Sequence, residues 1–516
     1  MDGFRKSIEK EFSSIYVFNL RGNQRTSGEL SRKEGGKIFG SGSRTPIAVT
    51  LLVKKPGRIG NAKIRYHEVE DYLTREDKLT LTKNFGSISN PKMQWQVLQP
   101  NEYGDWINHR NDSFSDLIAL TPDKKFDGQT KSFFTTYSLG IATAADTWMY
   151  NFSYNKLSEN IQSLIGFYNN RLEIPDSKFS DEHYDKTKIS WNDKLKNSFD
   201  KGEVLAFSDK NIVNSIYRPF QNQHVCFEKA IVQRTYQQDK FFPLSQIRNL
   251  IICVSGLGGN KQASVLISDK IVDLNLLEAG AQCFPLYWYE ERQQDSPTLF
   301  DAVAEPETSM YSRRDGISDF ILERARAMYG NVTQKEDVFY YVYGILHSPQ
   351  YRETFVADLK KTLPRLPLVD NSTDFWKFVK AGRQLAELHL NYENYEKPNT
   401  VRVIIDTGAN VDYEVEKMRF PKKGITDTII YNHQITIENI PEEAYEYVVN
   451  GKSAIEWIME RYQITTHPAS GITNDPNDWA REHGQPKYIL NLLLSIINVS
   501  LQTVETVKSL PELKFD

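Results

Sequence analysis

Cysteine is scarce: Cys226, Cys253 and Cys283 are the only three in 516 residues, and they stand far apart. That spacing offers neither a disulfide framework nor a zinc ligand set, and it fits a reducing cytosol, so a cytoplasmic protein is expected. No apolar run reaches the roughly 18 residues of a membrane helix, and the N-terminus lacks the pattern of a signal peptide, so no membrane partner is expected. A dominant charge of one sign is missing as well, since 63 Lys and Arg against 67 Asp and Glu leave a net charge of −4. A chain basic throughout is thereby excluded, but a local basic face for DNA is not. G-x-S-x-G, H-E-x-x-H and paired Cys/His sets are all absent and the nine histidines are scattered, which argues against an independent hydrolase. Gly451-Lys452-Ser453 has the look of a phosphate-loop ending, but the glycine needed five residues earlier is Glu446. A helix start with Ser453 near its cap is the sounder reading.

What is present suits a globular chain of two to four domains. Hydrophobic residues make up 40% and charged residues 25%, while aromatics at 12% are on the rich side and suit core packing together with polar surfaces that stack. Residues 4–12 have a helical start, and residues 14–20 read as a strand ending in Arg21-Gly22-Asn23-Gln24-Arg25. Next comes Lys37-Ile38-Phe39-Gly40-Ser41-Gly42-Ser43-Arg44-Thr45-Pro46, a loop feeding an aliphatic strand over residues 47–53. In a phosphate cradle the glycines follow a strand and open a helix; here they precede a strand, so no such cradle is expected. Residues 62–69 alternate like a strand, and residues 71–84 are charged and helical in pattern. Helix, strand, polar loop and strand in this order read as the back half of a doubly wound α/β domain.

Further along, Leu157, Ile161, Leu164, Ile165 and Tyr168 form a helical stripe suited to a core. Residues 176–188 are polar and charged, a linker candidate, and residues 290–312 are acidic and Pro/Gln-rich, a surface loop. Gly256-Leu257-Gly258-Gly259 is a flexible turn. Phe339, Val342, Tyr343 and Leu346 have amphipathic helical spacing, with a stop near Pro349.

Tyr16-Val17-Phe18-Asn19-Leu20-Arg21-Gly22-Asn23, followed by Phe39-Gly40-Ser41-Gly42-Ser43-Arg44-Thr45-Pro46-Ile47, resembles the region after the catalytic NPPY motif of γ-class N6-adenine DNA methyltransferases. More narrowly, the chain resembles the last part of single-polypeptide Type I (Type ISP) restriction-modification enzymes, in which nuclease, helicase, methyltransferase and target recognition domains follow one another. Tyr217-Arg218-Pro219-Phe220, Tyr287-Trp288-Tyr289, residues 337–352, Met418-Arg419-Phe420-Pro421-Lys422-Lys423, residues 447–457 and Asn474-Asp475-Pro476-Asn477-Asp478-Trp479 carry that likeness over nearly the whole chain. It implies an α/β plus α+β fold: a truncated Rossmann-like methyltransferase sheet over residues 1–80, a connecting region over 81–210, and over 211–516 a mixed target recognition domain with a helical C-terminal part.

The implied function is sequence-specific recognition of double-stranded DNA for an adenine-N6 methyltransferase whose catalytic half is missing, the chain being a fragment or a split subunit. Neither an acidic-bounded F-x-G-x-G to hold S-adenosylmethionine nor a [DN]-P-P-[FY] to bond the adenine amino group is found, so no catalytic residue is nominated and the chain alone is expected to be inactive. S-adenosylmethionine, ATP and Mg²⁺ are implied only for the full enzyme, and the missing methyltransferase, helicase and nuclease half is the implied protein partner. Phe39 matches the aromatic that stacks on the extruded adenine, a role suited to a flat apolar ring. Arg21, Asn23, Arg25 and Arg44 lie at loop ends on that face and suit phosphate or base contacts. Lys417, Arg419, Lys422 and Lys423, with Lys360, Lys361 and Arg365, could follow a phosphate backbone, while Tyr217-Arg218-Pro219-Phe220 reads as a structural turn. The alternative is an interaction subunit that binds a methyltransferase partner and no DNA. An exposed sheet edge is expected where the missing strands would pair.

Overall fold

The computed structural model describes residues 2–515 apart from 26, 27, 41, 58, 123–130, 175–178, 181–182, 293–309 and 407–409. The expected surface loop of residues 290–312 therefore lies mostly outside the described residues, as does part of the linker candidate at 176–188. The fold is mixed α/β, built from several small sheets and helices. It divides into two compact units, residues 1–114 with 260–262 and 355–361, and the remainder.

The first unit begins with α1 (Asp2–Glu11), β1 (Ser14–Asn19), α2 (Gly28–Glu34) and β2 (Ala48–Val53), and continues with β3 (Lys63–Glu68), α3 (Arg75–Phe85) and β4 (Gln96–Leu98). The sheet order is β2-β1-β3-β4. β1 runs antiparallel to β2, with Ser14 opposite Val53, and parallel to β3, with Ile15 opposite Ile64. Side chains alternate across a strand, so the sheet is packed on both faces: Ile8, Ile15, Ile64 and Leu98 form one cluster, and Phe18, Leu20, Ile38, Val69 and Met93 another. α3 starts at a capping box in which Thr74 and Asp77 bond each other's backbone N–H and satisfies two of the free donors of the first turn. The unit extends beyond residue 80 for two reasons: β4 completes the sheet, and buried Asp105 ties residues 101–110 to α1 and to Lys361.

In the second unit the expected stripe is realised in α4 (Tyr154–Leu172), where all five nominated residues are buried. Strands β5 (Ile212–Arg218) and β6 (Gln221–Cys226) form an antiparallel pair that turns at Phe220, whose φ is +59°. β7 (Ile251–Val254) lies between β8 (Val265–Ser268) and β9 (Gln282–Pro285), both antiparallel to it. The helical part follows. α5 (Lys335–Leu346) buries Phe339, Val342, Tyr343 and Leu346 and ends before Pro349 opens another short helix. α5 crosses α6 (Ser372–Leu390) at backbone contact: a Cβ on Gly344 would lie 2.4 Å from Phe378 O, and one on Gly382 1.9 Å from Tyr340 O. Only glycine permits that approach.

A small sheet of β10 (Arg402–Ile405), β11 (Ile429–Ile430) and β12 (Ile435–Glu438) follows, with β12 in the middle. α7 (Ala454–Arg461) opens at a Ser453/Glu456 capping box, so Gly451-Lys452-Ser453 is a helix entry. α8 (Tyr488–Lys508) is long and apolar enough to cross a membrane by length and composition, a candidate that a count of unbroken apolar runs passes over. Its Ile489, Leu490, Leu492, Leu493, Ile496, Ile497 and Val499 are buried in the main cluster with residues of α7 and β12, as in the core helix of a globular protein.

Candidate nucleic-acid interface

In the first unit three loop segments converge on residues 33–37. Gly22 N–H donates to Glu34 O (3.1 Å), Gly36 N–H to Leu73 O (2.9 Å) and Tyr72 N–H to Lys33 O (3.1 Å). Gln24 N–H donates to Arg44 O (3.0 Å), bringing the Arg21–Arg25 and Gly36–Arg44 segments side by side. The close approach requires glycine: a Cβ on Gly35 would lie 2.2 Å from Leu73 O and one on Gly36 2.3 Å from Arg75 N.

The nominated residues divide sharply on this framework. Phe39 is 57% exposed, although its neighbour Ile38 is buried in the core and Ile38 O accepts from Arg75 Nε (2.8 Å). Arg25 and Arg44 are exposed and have no ion-pair partner among the described residues. Arg21, in contrast, is turned inward on Asp71 and Glu68. Burial works against its charge, but the two carboxylates prevail and hold its pKa above the usual arginine value. Asn23 is buried and braces the loop: its N–H donates to Glu34 Oε2 (2.9 Å), its Nδ2 to Asn260 Oδ1 (3.3 Å), and its Oδ1 accepts from Arg25 N–H.

Lys360 is exposed, but Lys361 lies 2.9 Å from Asp105, whose side chain is fully buried. Arg5 (3.3 Å) and Arg110 (3.0 Å) share the same carboxylate. Burial alone would raise the Asp105 pKa, yet the bonds from Lys361 and Arg110 pull it down to about 2. Arg365, in the second unit, donates from Nη1 to Ser115 O (3.0 Å) and Leu117 O (2.8 Å). Lys361 and Arg365 are thus held within the fold.

The segment from Lys417 to Lys423 behaves differently. Arg419 exchanges backbone hydrogen bonds with Ile430, so the segment is extended here and its side chains alternate. Met418 is buried and Phe420 packs near Tyr445, while Lys417, Arg419, Lys422 and Lys423 are exposed without an ion-pair partner among the described residues. A groove of about 1890 Å³ elsewhere in the second unit is lined by five basic and five acidic side chains, so it forms no one-signed track for phosphates.

Two arrangements escaped the sequence reading. Lys78 is fully buried and donates to Glu34 O (2.7 Å) and Gly36 O (2.8 Å). Its signal was a lysine at i, i+3, i+7 spacing with the core-facing Leu81 and Phe85 on α3. The Tyr217-Arg218 turn anchors a buried network: Arg218 Nη1 lies 2.6 Å from Asp273, Tyr150 donates to Asp273 (3.0 Å) and Tyr217 to Asp146 (2.8 Å). Burial raises Asp273 to about 6 against the pull of Arg218. No local pattern marked Asp146, Tyr150 or Asp273, since they meet only through the fold.

The model of the Type ISP C-terminal specificity domain matches residues 132–492. The chain belongs to that family. Three solved structures align with the whole of this chain. A nuclease-deletion mutant of the Type ISP restriction-modification enzyme LlaGI, in complex with a DNA substrate mimic, is 41% identical, with a TM-score of 0.84 and 45% of its own length covered. The ATP-dependent Type ISP enzyme LlaBIII bound to DNA is 40% identical (TM-score 0.87, 32% of its length covered). The DrdV–DNA complex is 27% identical (TM-score 0.82, 49% covered). The chain therefore spans a third to a half of these enzymes. No curated protein matches it.

Proposed function

We propose that this chain recognises a DNA target for a restriction-modification enzyme, its specificity region contacting duplex DNA. The observation that carries this reading is the Lys417–Lys423 segment, four exposed cations with no carboxylate partner among the described residues, within a region that matches a specificity domain. Such a segment suits the several phosphate contacts that fix a protein on a duplex. Phe39, Arg25 and Arg44, gathered on one loop framework, suit a base and its flanking phosphates.

In the finer reading, residues 1–80 are the end of an adenine-N6 methyltransferase domain of Rossmann type, residues 81–210 connect, and residues 211–516 recognise the target. Support comes from β2: it pairs only with β1 among the described residues, and Val49 and Leu51 are exposed on it. An uncharged edge of that kind accepts another strand readily, here one from the catalytic part. S-adenosylmethionine, ATP and Mg²⁺ belong in this reading to the rest of the enzyme. The loop carrying Gly36, Gly40 and Gly42 leads into β2 and not into a helix N-terminus, so its residues do not fit a cofactor cradle. A cytoplasmic location goes with the same reading.

The test is binding of the purified chain to a random-sequence duplex library, with enrichment sequencing at two salt concentrations. One asymmetric motif, with affinity falling as salt rises, is the expected result. Binding at neither salt by a folded sample would overturn it and favour the second reading, an interaction subunit docking through the β2 edge on a methyltransferase partner.

A further inference from the structure

We propose that Lys78 is the positioning residue for the loop carrying Phe39: its buried ammonium gathers the Glu34 and Gly36 carbonyls and thereby holds the chain that presents the Phe39 ring. The inference rests on the DNA-contact reading of Phe39 but can fail separately from it.

A lysine ammonium is a strongly hydrated point charge that is rarely buried without compensation. Here the side chain is fully buried, and the oxygens it meets are backbone carbonyls, Glu34 O at 2.7 Å and Gly36 O at 2.8 Å. Burial lowers its pKa, while the nearby Glu34 carboxylate pulls the other way. An ion held in this manner fixes main chain, whereas a salt bridge would fix a side chain.

The carbonyls it holds are the junction of the loop cluster. Glu34 O also accepts Gly22 N–H, and the Glu34 carboxylate accepts Asn23 N–H (2.9 Å). Gln24 reaches the intervening carbonyl, Gly35 O, through its Nε2 (2.8 Å). One residue beyond Lys37, Ile38 enters the core while Phe39 stays outside. Two residues of α3 grip this stretch: Arg75 binds Ile38 O, and one turn later Lys78 binds Glu34 O and Gly36 O. A rigid helix therefore sets the path of a loop whose exposed ring is available for stacking. Without the ammonium, Gly36 O would lose its donor and Glu34 O would keep only Gly22 N–H, leaving the loop free to take another course.

The experiment uses the full chain with Lys78→Met, similar in length but without donors, and Lys78→Arg, which keeps them. The three native cysteines are buried, so a Phe39→Cys variant can be spin-labelled selectively. In the labelled protein the spectrum at position 39 is expected to be ordered with Lys78 or Lys78→Arg and mobile with Lys78→Met. Binding to a random-sequence duplex supplies the second readout. Phe39→Ala is expected to weaken it roughly tenfold, from the usual contribution of base–aromatic stacking. Lys78→Met should weaken it comparably, and the double variant should bind no worse than Phe39→Ala. Full additivity of the two substitutions, or an unchanged spectrum at position 39 in Lys78→Met, would overturn the proposal. Unchanged binding by Phe39→Ala would overturn the DNA-contact role of Phe39 and leave the spectrum to decide on Lys78.

Discussion

Asp105→Asn should destabilise the first unit by several kcal/mol, and the loss should depend on pH in a way that only a shared carboxylate explains. Asp105 is fully buried and takes Arg5, Arg110 and Lys361 within 3.3 Å, with Asn101 Nδ2 also at 3.3 Å. Its pKa of about 2 lies nearly two pH units below that of an ordinary aspartate, a gap worth about 2.5 kcal/mol of folding free energy at neutral pH. Asparagine keeps the shape but leaves three cations around a neutral amide. Removing one partner from a buried charged cluster brings the expected total to about 3–5 kcal/mol.

A depressed folded-state pKa means that the contribution is complete above about pH 4 and is lost as pH falls toward 2. Urea denaturation, with hydrogen exchange of α1 and β3 peptides as the local probe, measures the difference between the two proteins. The gap should be full at pH 7 and shrink steadily below pH 4. A gap under about 1 kcal/mol at pH 7, or one undiminished near pH 2, would refute the assignment of the cluster as a carboxylate-centred knot.

Two further outcomes follow from the second unit. His389 bonds Tyr343 and Thr503, and burial with the nearby Arg352 charge lowers its pKa to about 3; His347 is lowered well below its ordinary value by the same causes. Both imidazoles are neutral in the fold, so stability should be complete above about pH 6.5 and fall below it by up to about 2.7 kcal/mol per pH unit, half of that in His389→Gln, as read by urea denaturation. At the helix crossing, Gly382→Ala should cost about 1–3 kcal/mol because its Cβ meets Tyr340 O at 1.9 Å. Gly166→Ala in α4, where a Cβ meets nothing within 4 Å, should be neutral or stabilising by up to about 1 kcal/mol; thermal melts of the pair check both.

Elements with a strong local period were legible in the sequence: the α4 stripe, the α5 face and the strands at residues 14–20, 47–53 and 62–69 all appear close to their expected places. α2 was missed because Gly28–Glu34 holds a single large apolar residue, Leu30, and so carries no apolar period. That the first compact unit continues past residue 80 was not legible for a different reason. β4 joins β3 across about thirty residues, and Asp105 and Lys361 meet from opposite ends of the unit, so nothing local announces either. Phe39 was nominated from the resemblance that its loop carries, but the grip of Lys78 on that loop depends on a contact spanning 42 residues.

The same distinction separates the nominated cations, and it can be tested in one comparison. A basic side chain is available to a phosphate only where the fold has not already supplied its charge with oxygen. Asp71 and Glu68 take Arg21, Asp105 takes Lys361, and the carbonyls of Ser115 and Leu117 take Arg365. Along residues 417–423 Met418 and Phe420 turn inward, and the cations stay outside with no ion-pair partner among the described residues. Replacing Lys417, Arg419, Lys422 and Lys423 together by Gln should therefore leave stability nearly unchanged. It should reduce the slope of log affinity against log salt by about 3 to 4, as expected when four phosphate contacts disappear. Lys361→Met and Arg365→Met should do the reverse, lowering the urea midpoint with little change in slope. If these two variants lowered the slope at full stability, the fold would not be what withholds their charges from DNA, and the argument from internal pairing would fail.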